Sequence, residues 1–183
     1  RRRFVPIGFI EPEVLINNTS LFVDGASAYH FGILSSTMHN AWLRAVGGRL
    51  ESRYRYSAAI VYNNFPWPFQ VEADSASNQD IARANSAREA IKTASRGVLD
   101  ARAQFAGASL ADLYDPLTMP PALLRAHQKL DAAVDKAYQL AGGPKSYKND
   151  AERVTFLFTL YQQLTSLLPA AAPAKKRRTP KKA

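Results

Sequence analysis

The sequence predicts an α+β protein of 183 residues, in which a small mixed module is followed by an α-helical module and a disordered basic tail. Three observations support this order. Apolar residues recur at helical spacing in much of the chain. A stretch near residue 50 alternates with a period of two, which is typical of a strand. The last residues are too poor in large apolar side chains to bury a core. We place the modules at residues 1–70 and 71–168, and the tail at 169–183.

The first part of the mixed module is expected to contain strands and a helix. Residues 4–23 combine β-branched and aromatic residues with turn formers, and therefore predict short strands joined by loops. A helix is expected from Tyr29 to Val46, because five apolar side chains share one face. These are Phe31, Leu34, Met38, Trp42 and Val46. Gly47 and Gly48 would end the helix, since glycine readily adopts the left-handed conformation of a C-cap.

The segment from Arg49 to Tyr56 predicts a strand with one charged face. Its charged residues alternate with uncharged ones, and the charged set is Arg49, Glu51, Arg53 and Arg55. This period of two is a strand signature. Pro66 and Pro68 then close the segment and the module.

Capping signals delimit three helices in the second module. They are expected to begin at Ser77 or Asn78, at Pro120-Pro121, and at Asn149 or Asp150. The first would end near Ala103 and the second at Gly142-Gly143. The second helix carries an apolar stripe, formed by Leu123, Leu130, Val134 and Tyr138. Such a stripe predicts a helix that packs against a core.

The formal net charge of +9 is concentrated at the ends of the chain. Residues 1–3 contribute three positive charges and the tail contributes six. Removing these nine from the 24 basic residues leaves 15, equal to the 15 acidic ones. The folded body is therefore expected to be neutral, and a Lys/Arg-rich tail binds polyanions without sequence specificity.

Several functional classes are disfavoured by composition. The chain has no cysteine, which excludes disulfides, thiolate metal sites and a cysteine nucleophile. Its three histidines are scattered, and we expect no metal site. No apolar run is long enough to span a bilayer and no signal peptide is visible, so a cytoplasmic location is the default. Because the chain starts without methionine, we expect it to be a fragment or a processed product.

The alternating segment has the chemistry to read DNA bases. On a strand, Glu51 and Arg53 would project from one face about 6.5–7 Å apart. A carboxylate accepts from the cytosine amino group, and a guanidinium grips O6 and N7 of guanine, so the pair could read one C·G base pair. Arg44, Arg49 and Arg55 would contact phosphates. The alternative is a solvated strand with an intramolecular Glu–Arg pair, which spacing alone favours.

Other candidate features have simpler structural interpretations. The aromatic stretch Tyr62–Phe69 could stack on bases, but burial is favoured. His39 and His127 lack a paired nucleophile, so packing or capping is expected rather than catalysis. Asp131 and Asp135 share a helix face without a third ligand, which indicates a hydrated surface. No catalytic residues are predicted, and no glycine-rich loop for a nucleoside cofactor is present.

Two blocks of sequence resemble a known family. The run FGILSSTMHNAWLRAVGGRLESRYRYSAAIVYNNFPWP is similar to the target-recognition domain of MmeI-like enzymes, which are fused restriction–modification and adenine-methyltransferase proteins. The runs SLADLYDPLTMPPALLRAHQKLDAAVDKAY and DAERVTFLFTLYQQL resemble the helical C-terminal domain that follows it in that family. The blocks occur in family order and cover most of residues 4–167.

The resemblance implies a role in DNA recognition for a larger enzyme. That enzyme would transfer a methyl group from S-adenosylmethionine to N6 of adenine, in restriction–modification or phage defence. Its methyltransferase domain would lie upstream of this chain, so we expect no bound cofactor and no activity from the chain alone. The expected partners are double-stranded DNA and that domain.

The resemblance also assigns residues. Glu51 and Arg53 match base-specifying positions. By side-chain chemistry rather than resemblance, Asn17 and Asn18 are weaker DNA candidates, because amides suit adenine. Tyr56 is a further weak candidate. The alternative function is a non-catalytic helical scaffold whose basic ends bind nucleic acid non-specifically.

Overall fold

A computed structural model describes residues 3–17, 20–51, 53–69 and 77–166. The elements in chain order are α1 (Ala28–Ser35), α2 (Thr37–Val46), β1 (Gly48–Leu50), β2 (Arg53–Arg55), a π-helical turn (Ala58–Tyr62), α3 (Asn78–Ala103), α4 (Leu110–Leu113), α5 (Pro121–Leu140) and α6 (Asp150–Thr165). The combination of helices with one small pair of strands confirms the predicted α+β class. The predicted tail, residues 169–183, lies outside the described residues.

The helices of both halves pack around one hydrophobic core. Helix α3 lies against α5 and α1, and α2 lies against α6. The core joins residues of both predicted modules, among them Phe4, Ile33, Trp42, Ile91, Leu130 and Leu157. All four residues of the predicted α5 stripe are fully buried. The first 70 residues therefore rest on the helices that follow them. None of the helices in the described ranges is long and apolar enough to cross a membrane.

The helix ends predicted in the second half are confirmed. The side chain of Ser77 caps α3, and that of Asn149 caps α6. Pro121 occupies the first turn of α5, where its missing N–H costs nothing. Gly142 follows α5 with a φ of 91°, a left-handed conformation that glycine adopts without a steric penalty.

The helix predicted from Tyr29 to Val46 is interrupted at Ser36. The Ser36 hydroxyl donates to the Ile33 carbonyl at 2.7 Å and accepts from the His39 N–H at 3.3 Å. The Ser36 side chain thus replaces hydrogen bonds that a continuous helix would form between backbone groups, and it caps a second helix. Gly47 ends α2 as expected but in an extended conformation, not a left-handed one. Glycine is required there because a Cβ would lie 2.4 Å from the Leu43 carbonyl oxygen.

The strands predicted in residues 4–23 are wrong. Residues 4–17 and 20–23 form turns and irregular segments, held in part by hydrogen bonds from the Val14 N–H to the Glu11 carbonyl and from the Ser20 N–H to the Asn17 carbonyl. Strands need partners for their backbone groups. The one sheet of the described residues is the β1–β2 pair, and no described part of this segment pairs with either of its edges.

Candidate nucleic-acid interface

The alternating segment forms a hairpin rather than the single predicted strand. Strands β1 and β2 pair antiparallel, with Arg49 opposite Tyr54 and Leu50 opposite Arg53. Glu51 lies in the turn between them, and Arg53 begins β2. The argument that these two residues share one strand face is therefore wrong. Instead, the turn brings them to the same end of the hairpin. The side chain of Arg53 lies outside the described parts of the chain.

Glu51 has an unusual backbone conformation for its residue type. Its φ is 55°, and among the described residues it is the one non-glycine residue with positive φ. Two-residue hairpin turns often require positive φ, and they then favour glycine or asparagine. A glutamate there costs about 1–2 kcal/mol relative to the ordinary right-handed conformation. A strained, exposed, charged residue in a turn motivates a functional interpretation, because turn stability does not select it.

Two arginines extend from the strands beside this turn. Arg49 and Arg55 are both exposed, and neither forms an ion pair with a carboxylate in the described ranges. The Arg49 guanidinium lies over the ring of Tyr54, 5.0 Å from its centroid. This contact restrains Arg49 while leaving its charge uncompensated. Arg55 lies opposite Gly48, so no cross-strand side chain covers it.

Arg44 is occupied within the protein. Its Nη1 donates to Oδ2 of Asp150 at 2.6 Å, and its Nη2 donates to the Arg3 carbonyl at 2.9 Å. This ion pair joins the end of α2 to the start of α6. Because a carboxylate already compensates its charge, Arg44 is a weaker candidate for phosphate contact than Arg49 and Arg55.

A buried histidine holds the base of the hairpin. The Tyr56 hydroxyl, just after β2, lies 3.1 Å from Nε2 of His39 on α2. His39 is fully buried, and burial lowers its pKa to about 4, so its ring is neutral at pH 7. Burial also raises the pKa of Tyr56. The contact favours a structural role for Tyr56, which the sequence pattern suggested as a weaker DNA candidate.

The chain after the hairpin is a π-helical turn followed by buried aromatic residues. The Trp42 indole N–H donates to the Val61 carbonyl at 3.0 Å, and the Tyr138 hydroxyl donates to the Pro66 carbonyl at 2.9 Å. Phe65 is buried, and the Asn64 amide caps the turn by donating to the Ala59 carbonyl at 2.7 Å. The stretch Tyr62–Phe69 therefore packs into the core, as the favoured interpretation predicted.

Asp131 supports the helix that precedes the hairpin. Its Oδ1 accepts from the Thr37 N–H at 2.7 Å, and its Oδ2 accepts from the Thr37 hydroxyl at 2.6 Å, so it caps α2 from α5. Asp135 forms an ion pair with Arg153 at 2.8 Å. Burial raises the pKa of both carboxyls. The predicted hydrated surface is therefore wrong. No local pattern reveals this cap, because its partner is 94 residues away.

A buried arginine connects the N-terminal segment to the helical half. The Arg102 guanidinium donates to the Ile7 carbonyl at 2.6 Å and to the Tyr114 hydroxyl. That hydroxyl lies 2.7 Å from Nε2 of His127, whose ring stacks on Phe4 at 4.1 Å. Burial, and then the charge of Arg102, lower the pKa of His127 to about 3. His127 thus has a packing role.

The remaining DNA candidates lie in the N-terminal segment. Asn17 is exposed, and its Oδ1 accepts from the Ser20 hydroxyl at 3.0 Å. Asn18 lies outside the described residues. The role of Asn17 in DNA reading stays a prediction.

The described residues do not fit a nucleoside cofactor or a metal ion. They contain one sheet, the antiparallel β1–β2 pair, and no strand that leads through a glycine-rich turn into a helix, the arrangement that nucleoside cofactors use. Within the same ranges, no group of three or more His, Asp or Glu side chains is placed to hold a metal ion.

Comparisons with known proteins agree with this description. Residues 1–69 match the family model for the MmeI target recognition domain, and residues 83–169 match that for the MmeI C-terminal domain. The chain is 38% identical over 164 residues to DNA methyltransferase A of Bacillus subtilis (strain 168), covering 90% of this chain and 17% of that protein.

A solved structure is similar as well. It is the Type IIL restriction-modification enzyme MmeI in complex with DNA, at 47% identity and a TM-score of 0.77. The similarity covers 91% of this chain and 20% of that one. The chain therefore spans about a fifth of the length of the relatives it matches.

Proposed function

The chain belongs to the MmeI family, and from this premise we propose that it reads the sequence of duplex DNA for a larger site-specific DNA methyltransferase. The observation that carries the proposal is the exposed β1–β2 hairpin, with strained Glu51 in its turn and Arg49 and Arg55 beside it. A two-stranded ribbon is narrow enough to enter the major groove, where each base pair presents a distinct pattern of donors and acceptors.

Within the groove, the residues of the hairpin have different tasks. Glu51 accepts a hydrogen bond from the amino group of a cytosine, and Arg53 donates to O6 and N7 of the paired guanine. Arg49 and Arg55 contact the phosphates on either side, which fixes the register of the hairpin without carrying sequence information. The contact between Tyr56 and His39 connects the hairpin base to α2.

The reaction belongs to the rest of the polypeptide. That part binds S-adenosylmethionine, which supplies the methyl group, and transfers the group to N6 of an adenine. Since a base inside the duplex is inaccessible, the target adenine leaves the stack while the hairpin holds the site in register. The present chain supplies recognition, and we expect it to show no methyl transfer alone. A cytoplasmic location is part of the same proposal.

Exchanging the two base-reading charges tests the assignment. In Glu51→Lys combined with Arg53→Asp, the donor and acceptor positions are reversed, so the preference at one position of the site should change from C·G to G·C. Overall affinity for the newly preferred site should stay within about tenfold, since the phosphate contacts remain. Selection of bound duplexes from a randomised pool measures the preference. An unchanged preferred site would contradict the assignment.

The basic ends favour a second function, in which the chain is a scaffold that binds nucleic acid non-specifically. Nine of the 24 basic residues lie at the two ends. Both functions predict binding that weakens with salt. At fixed salt, however, a reader retains a large preference for one sequence, whereas the scaffold does not. If the unaltered chain shows no preference for one sequence at fixed salt, the result favours the scaffold.

A further inference from the structure

The exposed face of α5 carries positive charges and no negative ones. Its basic residues, here called the basic stripe, are Arg125, Lys129 and Lys136. With 3.6 residues per turn, they fall within about 40° of arc on the helix surface. Within this fully described helix, the other exposed residues are uncharged. The stripe is therefore a local surplus of positive charge, although the chain between its basic ends has equal numbers of acidic and basic residues.

The two carboxylates of α5 interact with other helices instead. Asp131 accepts two hydrogen bonds from Thr37 at the start of α2, and Asp135 forms an ion pair with Arg153 of α6 at 2.8 Å. No member of the basic stripe forms an ion pair with a carboxylate in the parts of the chain that the structure describes. The positive charge of the stripe is therefore left uncompensated by the protein.

Helix α3, which packs against α5, has the usual arrangement of surface charges. Its charged side chains are of both signs and form two ion pairs along the helix, Asp80 with Arg83 and Glu89 with Lys92. Opposite charges three or four residues apart stabilise a helix, and like charges at this spacing destabilise it. The first two members of the basic stripe are like charges four residues apart. Helix stability therefore does not explain the stripe, which favours a role in binding an anionic partner.

The dimensions of the basic stripe suit a DNA backbone. Its ends are eleven residues apart in the sequence, which corresponds to about 16 Å along the helix axis. Each strand of duplex DNA presents one phosphate per about 3.4 Å of axis, so the stripe is as long as about five phosphates. Ala132, between Lys129 and Lys136, is exposed and small. No long side chain at that position keeps a DNA strand away from the helix.

Hydrogen bonds join α5 to the chain on both sides of the hairpin. Asp131 caps α2, the helix that precedes the hairpin, and the Tyr138 hydroxyl donates to the Pro66 carbonyl in the segment that follows it. Both α5 and α2 contribute to the same hydrophobic core. A duplex bound to α5 is thus held by the part of the molecule that also supports the hairpin. Phosphate contacts of this kind fix the register of a protein on DNA.

We propose that the basic stripe binds the phosphate backbone of duplex DNA outside the base pairs that the hairpin reads. The presence of a duplex rests on the proposed function, whereas binding through the stripe needs no sequence preference. A basic stripe along a helix is the usual electrostatic signature of a nucleic-acid contact. The competing partner is an acidic surface of another protein domain. DNA is favoured because the charges of the stripe form a row, as phosphates do.

Removal of the three charges tests the inference. Glutamine has nearly the same helix propensity as arginine and lysine, so Arg125→Gln with Lys129→Gln and Lys136→Gln should leave α5 intact. In the 183-residue chain, the slope of log K against log salt should decrease by about three, one for each lost phosphate contact. At physiological salt, affinity for the preferred duplex and for unrelated duplexes should fall by the same factor, at least about tenfold.

The matched control removes three basic charges from α3. In Arg83→Gln with Lys92→Gln and Arg96→Gln, the change in net charge is the same, but the slope should decrease by less than about one. Equal losses in the two triple variants would show that net charge, rather than the stripe, determines affinity, and would overturn the inference. Unchanged DNA binding by the stripe variant would also overturn it and would assign the stripe to a partner other than DNA.

A variant that keeps the charges checks that the stripe acts through charge. In Arg125→Lys with Lys129→Arg and Lys136→Arg, affinity and salt slope should match those of the unaltered chain, because lysine and arginine both bind phosphates. A change in the preferred sequence would indicate base contacts by the forked guanidinium groups and would contradict a role in backbone binding.

The salt slopes also separate this inference from the proposed function. If the unaltered chain prefers no duplex, the proposed function fails, yet the slopes of the stripe variant and its control on any duplex still decide whether the stripe binds the backbone. If the unaltered chain prefers one duplex and the stripe variant keeps the full slope, the inference fails and the proposed function stands. If the unaltered chain binds no duplex, both are wrong.

Discussion

Glu51 combines an unfavourable backbone conformation with an exposed charge in the turn of the hairpin. If it is retained for base reading, a residue suited to positive φ should improve stability and impair recognition. We expect Glu51→Asn to raise the free energy of unfolding by about 1 kcal/mol, because asparagine tolerates the left-handed region better. The same variant should lose about 1–3 kcal/mol of discrimination at one base pair. Urea denaturation and competition binding measure the two effects.

The two effects must occur together to support the interpretation. Ala59→Ser, an exposed substitution in the π-helical turn, is a control expected to change neither quantity. A Glu51→Asn variant that is more stable and still discriminates fully would show that the turn glutamate does not read bases.

Arg49 and Arg55 should affect binding in a different way. Replacing either with alanine removes one phosphate contact, so affinity should fall for all sequences alike and the slope of log K against log salt should decrease by about one. Arg83→Ala on α3 is the matched control, because Arg83 is exposed and lies beside Asp80 at 3.6 Å. A change in the preferred sequence after Arg49→Ala or Arg55→Ala would instead indicate base contacts.

At the scale of the element, the orientation of α2 depends on a cap from a distant helix. Asp131 on α5 accepts two hydrogen bonds from Thr37, and we expect Asp131→Ala to reduce the free energy of unfolding by about 1–2 kcal/mol. Asp100→Ala, an exposed carboxylate on α3, should have almost no effect. Equal destabilisation by both substitutions in urea would mean that general charge loss, rather than the cap, is responsible.

The elements that could be predicted from sequence are those with local signals. Ser77, Asn149 and Pro121 mark helix starts through their own side chains, and the α5 stripe requires only helical spacing. The hairpin was missed because its turn lacks glycine or asparagine. The alternation of charged and uncharged residues continues without a break through the turn. The sequence pattern therefore predicts one continuous strand instead of two strands and a turn. Base reading by Glu51 and Arg53 stays a prediction from side-chain chemistry and family resemblance, because the turn between them removes the shared strand face that the spacing implies.

The elements that could not be predicted depend on distant partners. The break at Ser36 coincides with the cap from Asp131, and the segment after the hairpin leaves the strand conformation to place Phe65 in the core. Residues 4–23 have strand-like composition, but the described ones among them pair with neither edge of the β1–β2 sheet. Local propensity indicates what a segment can form, and tertiary contacts decide which possibility is realised.

At the scale of the whole molecule, the first half of the chain and the helical half share one hydrophobic core. Arg102 joins the N-terminal segment to Tyr114, and His127 completes this network beneath Phe4. His39 performs a similar task beneath the hairpin. Both histidines are fully buried and neutral at pH 7. Because the shared core depends on these neutral rings, protonation should weaken the whole fold rather than one module.

The free energy of unfolding should therefore fall as the pH decreases below about 6.5. The pKa is lowered to about 4 for His39 and to about 3 for His127, from an ordinary value of 6.5. Between these values the unfolded chain binds protons that the folded chain excludes. The contribution of the two histidines to stability is therefore fully present above pH 6.5 and is lost as the pH falls towards 4. Each histidine should contribute about 2 kcal/mol to the loss between pH 7 and pH 5.

The histidine effect can be separated from that of the buried carboxyls, which acts in the opposite direction. Burial raises the pKa of Asp131 and Asp135, so their protonation favours the folded chain as the pH falls. Urea denaturation gives the free energy of unfolding of the unaltered chain and of His127→Gln at each pH from 7 to 5. This free energy should fall more steeply with decreasing pH in the unaltered chain. NMR provides the direct measurement, since the ring signals of His39 and His127 should not titrate between pH 8 and pH 5.5. Titration of either ring near pH 6.5 in the folded protein would contradict both its burial and its role as a neutral support.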